Sequence, residues 1–343
     1  MCVGLIYSKR NMDRSATPVM FGFLFQTNAA IVLMLENMKE MKSIRLECNE
    51  DIDIELIDGT YVLAQAKSVV NASTDFTHVK ENAKKAMASL SDGAQKVKAR
   101  ELVYITNSPN PFNDDASKSM FYGPSVLTYG ELPLSTKELI DKYLEQLGYP
   151  LDVNQLNIRV LPFEGDDERQ RYKVVLSAIS DFMERIGLGD YGYRHKLHEV
   201  WEGMLYQSGT KAKKEIRVGK REIVWPIIVC VTGQGKLNRD ALCCTGLDDS
   251  EFEEINNRYS EIIDYCSERF DLVAKVISDF TIAGIKDRNA VNMFINDHWS
   301  DYTDDVEIDS VDEEIRSSLI KIIMYTILSK KYVINRIKKE VNL

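Results

Sequence analysis

Between Glu47 and Lys67 the sequence gathers the side chains that phosphate chemistry uses: Glu47, Asp51, Asp53, Gln65 and Lys67. In Asp51-Ile52-Asp53-Ile54-Glu55-Leu56 polar and apolar residues alternate, so the isoleucines and Leu56 turn to a core while the acids share the opposite face. Asp58-Gly59 signals a two-residue hairpin turn. Beyond it Leu63, Gln65 and Lys67 share one face of the returning strand, which brings Gln65 and Lys67 near the acids of its neighbour. Carboxylates, an amide oxygen and an ammonium at one hairpin edge suit phosphodiester hydrolysis. Mg²⁺ held by such oxygens aligns and activates water, and a lysine adds positive charge or positions that water. Asp51 is the expected central metal ligand, Gln65 a neutral ligand or orienting group, and Glu47 a second carboxylate. Asp53, two residues along the same face, could assist or replace Asp51. Taken singly, each residue is an ordinary hairpin charge, with Lys67 paired across the strands to little effect; taken together they favour chemistry.

The elements around these residues read as helix (21–41), strands (43–48, 51–57 and 60–70), a long amphipathic helix (76–98) and a strand (101–106). On that second helix Lys80, Lys84 and, farther along, Lys98 can share one stripe toward a phosphate backbone. Residues 107–133, rich in Asn, Asp, Ser, Pro and Gly, read as a loop leaving the first domain, followed by a helix at 135–147 and a strand at 157–162. After Asp166 the pattern turns helical (167–186 and 195–209), with a hairpin expected from strands at 215–218 and 222–231, then helix almost to the end. The expected architecture is therefore α/β: a catalytic domain over 1–165 and a mainly helical regulatory, oligomerisation and partner-binding domain over 166–343.

Composition bounds the possibilities. The chain has 343 residues and a net charge of −10, which on its own argues against a nucleic-acid partner. Yet residues 1–110 carry 13 Lys and Arg against 13 Asp and Glu, with acids clustered at 47–58 and bases at 80–100. That is a metal site beside a phosphate-binding face if the fold joins them. Six cysteines without a Cys-x-x-Cys spacing read as reduced thiols of a cytoplasmic protein. At the start an apolar patch precedes Lys9, Arg10 and Arg14, the reverse of a secretory signal. The uncharged run from Ser15 to Leu35 nears membrane-spanning length, but Pro18 and Gln26-Thr27-Asn28 favour a buried core helix.

The stretches Gly22-Phe23-Leu24-Phe25-Gln26, Glu47-Cys48-Asn49-Glu50-Asp51-Ile52 and Leu63-Ala64-Gln65-Ala66-Lys67-Ser68 carry a family resemblance. Over about residues 18–110 the chain resembles the PD-(D/E)XK nuclease superfamily, in the branch with Gln-x-Lys for Glu-x-Lys, as in Mrr-type restriction enzymes. It looks most like the effector endonucleases of bacterial antiphage systems: the CBASS effector nuclease domain and the LmuA nucleases of Lamassu systems. The resemblance implies a restriction-endonuclease-like core and Mg²⁺-dependent cleavage of double-stranded DNA, with Mn²⁺ able to replace Mg²⁺. It assigns Asp51, Gln65 and Lys67 the family's metal-ligand and lysine positions, Glu47 its accessory acid and Gln26 its first-helix glutamine. The C-terminal half does not resemble the CBASS sensor. That favours the Lamassu-like arrangement, in which an SMC-like ATPase and an accessory subunit hold the nuclease inactive and the active form is a homo-oligomer. The rival expectations are a catalytically silent DNA-binding or assembly subunit and a type IV-like restriction enzyme.

Other signals are weaker. Gly187-Leu-Gly189-Asp-Tyr-Gly192 follows a helix pattern, where a dinucleotide fingerprint follows a strand. Thr232-Gly233-Gln-Gly235-Lys236 lacks the first glycine and the Ser/Thr of a phosphate loop. His195, His198 and Glu199 read as a surface or partly packed group. Residues 301–315 hold eight acids and no base, and 316–343 seven bases and one acid, suited either to subunit contacts or masking of the DNA face, or to a solvated loop before an amphipathic helix.

Overall fold

A computed structural model describes residues 16–147, 150–189, 192–232, 246–286, 289–306 and 312–343. The N-terminal patch, Cys2, Cys243, Cys244 and the glycines of the 232–236 motif lie outside the described residues. The described chain is mixed α/β and divides into two compact units, one of residues 16–182 and 194–218, the other of 183–193 and 219–343. Residues 166–182 and 194–218, expected in the helical half, therefore belong with the α/β unit.

In the first unit α1 (Thr17–Glu36) starts with Pro18 in its first turn, where a missing N–H costs nothing, and leads through a short turn into β1 (Met41–Leu46). β2 (Ile52–Leu56) and β3 (Tyr61–Lys67) follow as an antiparallel pair, then α2 (Val79–Ala94) and β4 (Ala99–Thr106), which lies parallel to β3. The expected order of helix, three strands, helix and strand is present. β5 (Ser125–Thr128), α3 (Leu134–Leu144) and β6 (Leu156–Val160) complete this half. The sheet order is β5-β6-β4-β3-β2-β1-β7, β7 being the two residues Val218–Gly219.

α1 is long and apolar enough to cross a membrane by length and composition, but most of it is buried inside the fold. Phe25, Ala29, Ala30, Ile31 and Met34 are fully covered, and the helix packs on β1, β2 and β3. Its polar residues are used internally: Asn28 takes Glu202 (2.8 Å) and His198 (2.7 Å) from the helix Tyr193–Gly209. His198 is thus a buried partner of α1, while His195 is exposed. On the other face of the sheet α2 sets Val79, Ala83, Ala86, Met87 and Leu90 inward at helical spacing, over β3 and β4. The interior strand β4 is buried on both faces from Leu102 to Ile105, as a parallel strand inside a covered sheet must be.

Several boundaries differ from the sequence expectation for physical reasons. The β2–β3 connection has four residues, not two: Asp58 accepts from the N–H (2.9 Å) and hydroxyl (2.6 Å) of Thr60, and Gly59 takes φ +80°. α2 ends at Ala94, so Lys98 is not on the helix at all. β5 lies inside the segment read as loop; its four residues alternate between half-buried and exposed and pair only with β6, too little for a periodicity signal. The expected hairpin of 215–218 and 222–231 is absent: Lys220–Thr232 is a helix with Pro226 inside it. A short apolar run of this kind fits either period, and only tertiary packing decides.

The second unit is helical. Glu313–Ser329 is its hub, burying Leu319, Ile320, Ile323, Met324 and Ile327 against Ser260–Ser267, Phe270–Ala283 and Ala290–His298. Lys220, nearly buried, donates to the carbonyls of Val341 (2.9 Å) and Asn342 (3.2 Å), satisfying the end of the last helix, Lys331–Val341. Part of the acidic run is used internally: the Asp305 carboxylate accepts from Lys275 (2.6 Å) and its carbonyl from Arg269 (2.5 Å). Gly187, at φ +73°, donates to the Glu184 carbonyl (2.8 Å) at the end of helix Lys173–Arg185, a helix stop rather than a nucleotide loop. Among the described cysteines Cys230 and Cys266 are buried and Cys48 is half-buried.

Candidate active site

Three side chains meet where β2 begins and β3 ends. Register places Ile52 opposite Ala64, so the residues just outside this pair, Asp51 and Gln65, become neighbours. Asp51 Oδ2 accepts from Gln65 Nε2 and from the backbone N–H of Ala66 (2.9 Å), and Lys67 Nζ stands 3.9 Å from the same oxygen. Oδ1 of Asp51 takes no hydrogen bond from the described residues. Burial raises the Asp51 carboxyl above its ordinary range; Lys67, the Ala66 N–H and Gln65 oppose the rise, while Glu47 adds to it. A negative charge is held here at a cost that nearby positive charge would lower.

Glu47 is brought to this cluster by the chain rather than by chance of surface placement. It follows β1 with φ +54°, a left-handed conformation that disfavours residues with a Cβ by ~1–2 kcal/mol. Its N–H donates to the Asp51 carbonyl (3.1 Å) and that of Cys48 to the Glu50 carbonyl (3.1 Å), closing a compact turn over 47–51. From α1, Gln26 Nε2 donates both to Glu47 Oε1 (2.9 Å) and to the Asp51 carbonyl (2.7 Å). The first-helix glutamine therefore fixes both acids from outside the sheet.

Asp53 is elsewhere. Although it shares strand parity with Asp51, it is fully buried, and both carboxylate oxygens are occupied by the turn: Oδ2 by Asn49 N (3.1 Å) and Nδ2 (2.7 Å), Oδ1 by Glu50 N (2.9 Å). It holds the loop that carries Asp51, and both its oxygens are engaged by that turn. Of the expected DNA-facing lysines, Lys80 and Lys84 are exposed on α2, with Lys84 donating to Gln146 (2.6 Å). Lys98 is displaced: its carbonyl accepts from Tyr61 N (3.0 Å), at the opposite end of β3 from Lys67, about 20 Å away at strand rise.

Glu50, which no sequence signal marks, lies only 5 % exposed against α2. Its Oε2 accepts from Ser89 Oγ (2.8 Å), its Oε1 has no partner, and it packs where a side chain on Gly93 would stand. Burial pushes its carboxyl up to about 7, with Ser89 and Lys96 opposing and Asp51 and Asp53 reinforcing the rise. The folded state therefore keeps a proton on Glu50 that the unfolded chain releases near 4.5, and stability falls as pH rises between these values. Glu50→Gln is expected to flatten this fall and to raise stability at pH 8 by up to roughly 3 kcal/mol, at 1.36 kcal/mol per pKa unit. Urea unfolding of both proteins across the interval measures it; parallel curves would refute it.

Among the described residues no three or more His, Cys, Asp and Glu side chains gather as a metal cluster. What the site offers is two carboxylates, one amide and a free Asp51 oxygen. Mg²⁺ is commonly bound through one or two carboxylates with waters and substrate phosphate completing its shell, so this donor set fits it. No protein-family model, curated protein or solved structure matches the chain.

Proposed function

We propose that the chain is a Mg²⁺-dependent DNA endonuclease with a PD-(D/E)XK-like core, acting in the cytoplasm as effector of a Lamassu-like defence complex. What supports the chemistry is the meeting of Asp51, Gln65 and Lys67 at one strand end, with Glu47 and Gln26 fixed beside them. Asp51, Glu47 and Gln65 would hold the cation, which would supply charge stabilisation at phosphorus and a more acidic water. Lys67 adds positive charge at the same oxygen, and Gln26 orients both acids. The defence setting rests on resemblance alone, as do the SMC-like ATPase, the accessory subunit and oligomeric activation.

The second reading, a DNA-binding subunit without turnover, draws on the neutral Gln65 among the three central groups. Supercoiled plasmid incubated with the protein, alone and with the products of the adjacent genes, separates the two. Nicking in Mg²⁺ that stops in EDTA is the expected result. Intact plasmid under every condition, with duplex binding retained, would favour the silent subunit.

A further inference from the structure

The segment leaving the helix Tyr193–Gly209 runs from Thr210 to Arg217. It is a basic strap: Lys211, Lys213, Lys214 and Arg217 stand against the single acid Glu215. Residues 211–216 are all exposed, yet the backbone is pinned. Arg45 of β1, 1 % exposed, donates Nη1 to the carbonyls of Lys213 (2.6 Å) and Ile216 (2.5 Å) and Nη2 to that of Lys211 (2.6 Å). Arg217 donates to Ser43 Oγ (2.8 Å) and the Asp53 carbonyl (2.8 Å). With the carbonyls turned in to a buried guanidinium, the Lys211 and Lys213 side chains are left outside, and neither ammonium has an acidic partner among the described residues.

The strap adjoins the candidate active site at two points. Lys214 Nζ donates to the Cys48 carbonyl (2.8 Å), inside the turn that carries Glu47 and Asp51. Gly209, where the strap begins, lies so close that a Cβ there would meet Leu46 Cβ at 3.3 Å and Glu47 Cγ at 3.8 Å. A chain of net charge −10 can approach a polyanion only through a local concentration of positive charge. A pre-fixed backbone presents that charge without the ordering cost of a free loop.

We propose that residues 211–214 are a DNA-backbone contact surface serving the candidate active site. Lys211 and Lys213 neutralise phosphates of the duplex, and Lys214 ties the strap to the acidic turn. The identity of the polyanion rests on the nuclease reading. Phosphate contacts of this kind set register and carry no sequence information, so all duplexes should be affected alike.

The test is the salt dependence of binding to a short fluorescent duplex in EDTA, where no cutting intervenes. For Lys211→Ala/Lys213→Ala, with unchanged melting temperature, the slope of log K on log salt should become shallower by about 0.9 per lost contact, equally for unrelated sequences. Lys118→Ala/Lys142→Ala, an exposed pair in the same unit, should leave the slope unchanged. An unchanged slope for the strap pair, an equal loss from both pairs, or no duplex binding by the wild-type chain would overturn the proposal. If the strap pair changes nothing while the wild type nicks plasmid in Mg²⁺, the strap is refuted and the nuclease stands. If the slope falls as expected but no plasmid is cut under any activating condition, the DNA surface stands and the nuclease reading fails.

Discussion

Lys67→Ala is expected to lower the rate of Mg²⁺-dependent plasmid nicking at least about a hundredfold, the usual scale for removing one pre-organised group aimed at developing charge. Lys67 Nζ stands 3.9 Å from Asp51 Oδ2, and its side chain is about 29 % exposed, so it reaches the cluster while remaining accessible from solvent. Because the pair is partly solvated, its loss should shift stability by at most about 1 kcal/mol. Duplex binding in EDTA should persist, since the strap and not Lys67 is assigned to the backbone. The measurement is nicking rate against thermal unfolding and binding of the same preparation. A variant that cuts at wild-type rate would remove Lys67 from the chemistry.

The second large effect separates two aspartates that the sequence presents as alternatives. Asp53→Ala should destabilise the first unit by about 3 kcal/mol, because the N–H groups of Asn49 and Glu50 and the Asn49 amide lose their acceptor in a dry site. For a unit of this size that corresponds to a fall in Tm of roughly 6–12 °C. Asp51→Asn should behave in the opposite way: stability equal to wild type or higher, since a buried charge held at a cost is removed, and cutting abolished. Thermal unfolding and nicking of both variants decide the matter. Lost cutting with unchanged Tm in Asp53→Ala would return Asp53 to the site.

Strand alternation, the Asp58-Gly59 turn and the Gln-x-Lys spacing made the hairpin half of the site legible, because its residues are close in sequence and period two is a strong signal. Gln26 was reachable only through family resemblance, as nothing local marks a helix glutamine that spans to Glu47 and the Asp51 carbonyl. Asp51 and Asp53 could not be separated, since their difference lies in which backbone N–H groups the 47–51 turn directs at them. Lys98 failed because a lysine run says little about where a helix stops. Glu50 and the strap were hidden for one reason: their partners, Gly93 in one case and Arg45 in the other, are distant in sequence. The segment Lys220–Thr232 was not legible because nine apolar or β-branched residues around Pro226 suit strand or helix equally until packing chooses.

The clasp of Arg45 on the strap bears on how such a chain can be made safely. Arg45 and its carbonyl partners are separated by 166–171 residues, so during synthesis β1 emerges long before anything can satisfy its guanidinium. A buried cation without acceptors is strongly disfavoured, so the edge of the sheet stays open until residues 211–216 arrive. The acids and Lys67 are translated early, and the positive surface proposed to bring DNA to them is fastened only once residues 211–216 are made. If the proposed surface binds DNA, a nascent chain carries the proposed ligands through the synthesis of residues 68–210 without that surface.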